Sequence, residues 1–176
     1  MHERRTDLIH VTQVLRDAGL VNTEWFTDHM RERGTALHSA IEFDVAGDLD
    51  EATLDPEITV PFAAWRKFRA EMQPEILASE LNVEVPGSYC GRLDLLVRIN
   101  DAEGIVDFKG QPSPSDSVQL AGYACTFDRP LKRWNLYLRI GNGYRLVEHK
   151  DRRRDDSIWR AALVLAAWRR EHGLVT

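Results

Sequence analysis

The chain lacks most of what marks a membrane-bound, secreted or cluster-bearing protein. Its two cysteines, Cys90 and Cys125, are too few for a disulfide framework or for an iron–sulfur cluster of their own, so packed thiols are expected. No apolar run approaches the roughly 20 residues that span a bilayer. The first residues include His2, Glu3, Arg4, Arg5 and Asp7 and hold no apolar stretch of the kind found in secretory leaders, so a cytoplasmic location and no membrane partner are expected. No glycine-rich phosphate loop is present, which excludes a built-in nucleotide-driven motor. Neither cysteine sits beside a histidine in a nucleophile motif, and no serine arrangement replaces it. Internal repeats, low-complexity tracts and linkers are also missing, so residues 1–176 are expected to form one domain.

What is present is the composition of a globular chain, 43% hydrophobic and 29% charged, long enough for a real core. The net charge of −5 hides an asymmetry, because residues 129–176 carry 12 Lys/Arg against 5 Asp/Glu. A basic C-terminal third could face phosphates, or it could be a solvated, salt-bridged surface.

Periodicity predicts a short helix over Thr12–Ala18 with Thr12 as its cap and Gly19 as its stop. A second helix is expected from Thr23 or Glu24 to Val45, bent near Gly34, with Met30, Leu37, Ile41 and Val45 on one face. Gly47–Thr59 reads as a loop, and Pro61 suits the first turn of a helix to Met72. Strands follow at Ile76–Val85, Tyr89–Ile99 and Gly104–Lys109, with turns at Pro86-Gly87 and Asn100-Asp101. Then come a helix over Asp116–Phe127, strands at Arg133–Ile140 and Tyr144–Glu148 joined by Gly141-Asn142-Gly143, and a helix over Asp155–His172. That helix is expected to bury Ile158, Ala162, Leu165 and Trp168. The order implies an α/β fold around one mixed sheet.

The chemistry concentrates between Gly91 and Tyr123. In Arg92–Ile99, alternation puts Leu93, Leu95, Val97 and Ile99 on one face and Asp94 on the other, with Arg92 and Arg98. Asp107 and Lys109 are two residues apart in the next strand, so they share a side. Asp107 lies between Val106 and Phe108, where an unpartnered carboxylate is costly and a metal or lysine removes the cost. Two carboxylates with an ammonium beside them suit metal-assisted phosphodiester cleavage: oxygen ligands for a hard cation, and a positive charge where negative charge builds. Glu80 and Glu84 share one strand face, and either could approach such a site; Gln119 and Tyr123 share a helix face.

These pieces resemble the PD-(D/E)XK nuclease superfamily and, within it, the RecB-type exonuclease group, as a small standalone phage-type member. The resembling segments are Gly34-Thr35-Ala36-Leu37-His38, Glu80, Gly91-Arg92-Leu93-Asp94, Asp107-Phe108-Lys109 and Gln119-Leu120-Ala121-Gly122-Tyr123. The resemblance implies a central mixed sheet of about five strands flanked by helices. It implies His38, Glu80, Asp94, Asp107 and the Phe108 backbone carbonyl as ligands of Mg²⁺ or Mn²⁺. Lys109 would be the catalytic lysine beside Glu80, Asp94 and Asp107, and Gln119 and Tyr123 would touch DNA or orient the catalytic groups. Arg92 could meet phosphate or pair with Glu80 or Glu84. A histidine ligand favours Mn²⁺. The implied activity is a deoxyribonuclease, an exonuclease working on linear duplex or single-stranded DNA ends in recombination, repair or DNA processing. Processive unwinding would need a recombination partner or a ring of copies. Rival readings are a non-catalytic DNA-end binding module on the same fold and a structure-specific endonuclease. The tryptophans Trp25, Trp65, Trp134, Trp159 and Trp168 are expected in the core, with Trp25 and Trp65 as candidates for the cleft. Arg152-Arg153-Arg154 precedes Asp155-Asp156, which suit a helix N-terminus and partly neutralise the arginines.

Overall fold

The β-branched and leucine-rich runs in the middle of the chain build a mixed sheet, and the amphipathic segments on either side of it pack as helices. The computed structural model describes residues 8–21, 27–140 and 143–175. In order these are β1 (Ile9–His10), α1 (Val11–Asp17), α2 (Asp28–Ala46), two short 3₁₀ turns (Glu51–Thr53 and Pro56–Ile58), α3 (Thr59–Met72), β2 (Glu75–Val85), β3 (Tyr89–Ile99) and β4 (Ala102–Lys109). Then follow α4 (Asp116–Ala124), β5 (Lys132–Ile140), β6 (Gly143–Glu148) and α5 (Arg152–Glu171). The expected start of the second helix, the Gly141-Asn142 turn and Trp25 lie outside the described residues. Among the described residues, no helix is long and apolar enough to cross a membrane.

Among the described residues the sheet has six strands. β2, β3 and β4 form an antiparallel meander, β4 pairs with β5 in parallel after the α4 crossover, and β6 turns back along β5. β2 occupies one edge of β3 throughout, so the parallel pairing of β1 at Tyr89 and Cys90 must use the edge that β4 uses from Leu95 onward. Between Cys90 and Leu95 that edge is shared by neither strand. The opening lies where the sequence writes Gly91-Arg92-Leu93-Asp94.

Two cores cover the two faces. One joins Leu93, Leu96 and Ile105 to α1, α4 and α5; the other joins Leu95, Val97, Val106 and Phe108 to α2 and α3. The strict alternation expected for β3 therefore fails at one place: Leu93 faces one core, and Leu95, Val97 and Ile99 face the other. The switch coincides with irregular backbone on the neighbouring strand, whose register also shifts between Ile76 and Ala78. Ser79 pairs with Leu95 and Leu81 with Leu93, and between them Glu80 stands opposite Asp94 with φ at +51°. A non-glycine residue in the left-handed region costs about 1–3 kcal/mol and persists only where its surroundings over-determine it. Here the flanking pairs hold it, and the faces switch around the two acidic residues.

Several helical expectations also change. α5 buries Asp155, Trp159, Ala162 and Ala166, whereas Leu165 and Trp168 are exposed. The Trp159 indole sets this phase: it meets the Tyr89 ring edge-on at 4.9 Å and lies over Gly122, where any Cβ would come within 3.0 Å of it. Helix α5 also begins before Asp155, because Asp151 caps it through the Arg154 amide. On α2, Leu37 and Ile41 are buried but Met30 is exposed, since this first turn extends beyond the sheet-covering part of the helix. Gly34 lies within one continuous helix. Trp65, Trp134 and Trp159 are core residues.

The α2–α3 layer that carries His38 is tied by Asp44, which accepts from Trp65 Nε1 at 2.7 Å and from Arg69 at 2.8 Å. Asp44→Ala leaves the fully buried indole N–H unpaired and is expected to cost about 1–3 kcal/mol. Thermal denaturation should then show a midpoint lower by about 2–4 °C per kcal/mol.

Candidate active site

The sheet opening collects the predicted residues into two adjoining halves. On the α2 side, His38 Nδ1 lies 3.4 Å from Asp94 Oδ1 and 3.7 Å from Glu80 Oε1. Helix α2 presents His38 against the edge of the Phe108 ring, 5.3 Å between centroids. The β3–β4 ladder ends at Leu95 and Val106. Just past it, the Asp94 carboxylate accepts the Phe108 amide at 2.6 Å, taking a backbone donor the ladder has released. Arg92 pairs with Glu80 at 2.8 Å while remaining largely exposed; Glu84 is exposed.

On the α4 side, Asp107 and Lys109 do share a face, and Lys109 Nζ meets Asp107 Oδ2 at 2.6 Å. Gln119 binds both, accepting from Lys109 Nζ at 3.0 Å and donating to Asp107 Oδ1 at 3.1 Å. Its amide also reaches Tyr123 Oη at 3.3 Å. Gly91 is required here, because a Cβ would lie 2.7 Å from Tyr123 Cε1. A groove of about 500 Å³ bounded by His10, Thr12, Gln13 and Arg16 reaches this half at Gln119.

Two residues unread in the sequence complete the second half. Parallel register sets Asn135 of β5 beside Asp107, and its amide donates to Asp107 Oδ2 at 2.9 Å. His149 Nε2 meets the Asn135 Oδ1 at 2.7 Å. The signal for Asn135 was available: an amide between Trp134 and Leu136 in an apolar strand needs partners, as Asp107 does. His149 follows the last strand and carried no such mark.

Charge is unevenly distributed over these groups. Burial works to depress the His38 imidazole, but the Asp94 charge, with hydrogen bonds to Asp94 and Glu80, overrides it and raises the pKa to about 10. Burial works against the Asp94 carboxylate, yet His38, Lys109 and the Phe108 amide hold it below the usual range. Burial lifts Asp107 to about 6, with Lys109 opposing and Asp94 adding to the rise. Lys109 is held above its ordinary value by Asp107, Asp94 and Asp116 against the effect of burial. Tyr123 is raised, first by burial and then by Asp107 and Asp94, and remains a neutral hydroxyl.

His38, Glu80 and Asp94 each offer a ligand atom within 4.8 Å of the others. Ligands bound to one ion at about 2.0–2.6 Å are at most about twice that apart, so this nitrogen-and-two-oxygen set fits a divalent cation. Asp107 is outside that group and is instead held by Lys109, Gln119 and Asn135. The Phe108 amide is committed to Asp94. Without a cation, the His38 imidazolium itself balances the two acids, and this has a pH signature. Because its pKa is raised by folding, its stabilising contribution is full below about 6.5 and is lost as pH rises toward about 10. His38→Gln should remove that loss, read from thermal midpoints of cation-free protein across the same window.

No protein-family model matches the chain, and no curated protein matches it. Among solved structures, it is similar to that of SSO0001, with 16% identity, 93% of this chain and 79% of that chain covered, and a TM-score of 0.42. It is also similar to LHK-Exo in complex with dAMP, with 14% identity, 94% and 93% covered, and a TM-score of 0.42.

Proposed function

We propose that this chain is a divalent-metal-dependent deoxyribonuclease, acting as an exonuclease on DNA ends. One observation carries the reading: a histidine–glutamate–aspartate set spaced for one cation adjoins a buried aspartate–lysine pair at a gap between strands. His38, Glu80 and Asp94 would hold the cation. A hard cation there supplies Lewis-acid polarisation of a phosphate and a bound water of lowered pKa. Lys109 places a permanent positive charge beside Asp107, where it stabilises negative charge developing on the phosphate. Gln119 fixes the Asp107–Lys109 separation by bonding both, and Tyr123 closes that side over Gly91. The groove beside α1 has Gln119, the partner of Lys109, in its wall, which supports an approach of a strand from that side.

The test is digestion of linear and covalently closed duplex DNA with Mn²⁺, Mg²⁺ or EDTA. Loss of linear DNA alone, dependent on the cation, is expected. Cutting of the closed circle would move the activity to an endonuclease of the same chemistry. A folded, cation-binding protein that cuts neither would overturn the nuclease reading in favour of a DNA-end binding module.

A further inference from the structure

We propose that His149 is a positioning residue for the Asp107–Lys109 half of the site, acting through Asn135. The kinetic part of this inference rests on the nuclease reading; the geometric part does not. Asn135 is fully buried, and its amide has two distinct ends. Its Nδ2 donates to Asp107 Oδ2 at 2.9 Å and lies 3.4 Å from the Asp107 carbonyl oxygen. A flipped amide would set its oxygen against both acceptors, so the orientation is chemically fixed. Asn135 Oδ1 is then an acceptor, and His149 Nε2, at 2.7 Å, must donate to it. The protonated imidazole donates from the same nitrogen, so the arrangement does not hinge on His149 titration.

The position of each partner explains why this matters. Asp107 takes three side-chain donors: Lys109, Gln119 and Asn135. Lys109 is a flexible chain and Gln119 belongs to α4, a separate element. Asn135 ties the carboxylate to the neighbouring strand by ladder register. His149 is held at the end of β6 by its own backbone, whose N–H donates to the Arg133 carbonyl at 2.9 Å. The order His149, Asn135, Asp107, Lys109 therefore runs from a backbone anchor on β5 to the ammonium. Losing the His149 donor leaves Asn135 Oδ1 buried and unpaired, so the amide is held from one end only and the one partner of Asp107 on the neighbouring strand loosens.

The test compares His149→Leu, which cannot donate, with His149→Gln, whose amide can. Two readouts are taken: kcat and KM on linear duplex with Mn²⁺, and solvent exchange of the Asn135 side-chain NH₂ by ¹H–¹⁵N NMR in cation-free protein. His149→Leu should lower kcat by about tenfold or more with KM within about twofold, and His149→Gln should recover it to within about threefold. Exchange of the Asn135 NH₂ should accelerate in His149→Leu and stay slow in His149→Gln. In an Asn135→Leu background, His149→Leu should have no further effect on kcat. Wild-type kcat and slow exchange in His149→Leu would overturn the proposal, as would equal impairment of both variants on both readouts. If the wild type cleaves nothing, the nuclease reading fails on its own, and the exchange rates still decide the positioning. If His149→Leu does not fold, His149→Gln against His149→Ala makes the same comparison.

Discussion

Lys109→Ala should lower the turnover of DNA cleavage by about 100- to 1000-fold, the cost of removing one preorganised donor at a developing charge. Its Mn²⁺ affinity should change little, because the cation-spaced set is His38, Glu80 and Asp94 and does not include the lysine. The fold should survive, since Asp107 keeps Gln119 and Asn135 as donors. Single-turnover cleavage of linear duplex, with calorimetric Mn²⁺ binding beside it, separates the two effects. A lysine variant that cuts at the wild-type rate would show that Lys109 only neutralises Asp107.

The second large effect is on stability. Asp94 is buried between the His38 imidazolium and the Phe108 amide. Asp94→Ala leaves the Phe108 amide unpaired, while His38, a third exposed, keeps Glu80, so the expected cost is about 1–3 kcal/mol. For a chain of this size that corresponds to a midpoint lower by about 2–12 °C in cation-free protein near neutral pH. The depressed Asp94 pKa sets the sign: its contribution is present above the ordinary aspartate range and is lost as pH falls through the folded value. The variant should also lose cation binding. Equal melting of variant and wild type at neutral pH would mean that the pair is not a stabilising element.

Much of this was legible in the residues. The three-strand meander and its tight turns follow from β-branched runs bounded by Pro86-Gly87 and Asn100-Asp101, and β3 has the bounds its sequence suggests. That Asp107 and Lys109 share a side follows from strand periodicity, and their contact is what the structure adds. Other features depend on tertiary context. The face switch at Leu93 needs both strands, because it accompanies the positive φ of Glu80 and the register shift between Ile76 and Ala78 on β2, neither of which the alternation in β3 reveals. The rotation of α5 comes from Trp159 seating on Gly122, a long-range fit that competes with an equally regular stripe through Leu165 and Trp168. Asn135 could have been found by asking what satisfies a buried amide. His149 needs the β5–β6 register before it has a role.

The central claim is that His38, Glu80 and Asp94 form the cation site on which cleavage depends. Titration of Mn²⁺ into cation-free protein at neutral pH, repeated in two buffers of different ionisation enthalpy, tests it most directly. Because the imidazole is protonated up to about pH 10, binding through Nδ1 must release a proton. The predicted result is saturable binding with about one proton released per ion, affinity rising with pH, and no binding in Asp94→Asn. Saturable binding that survives unchanged in Asp94→Asn would contradict it.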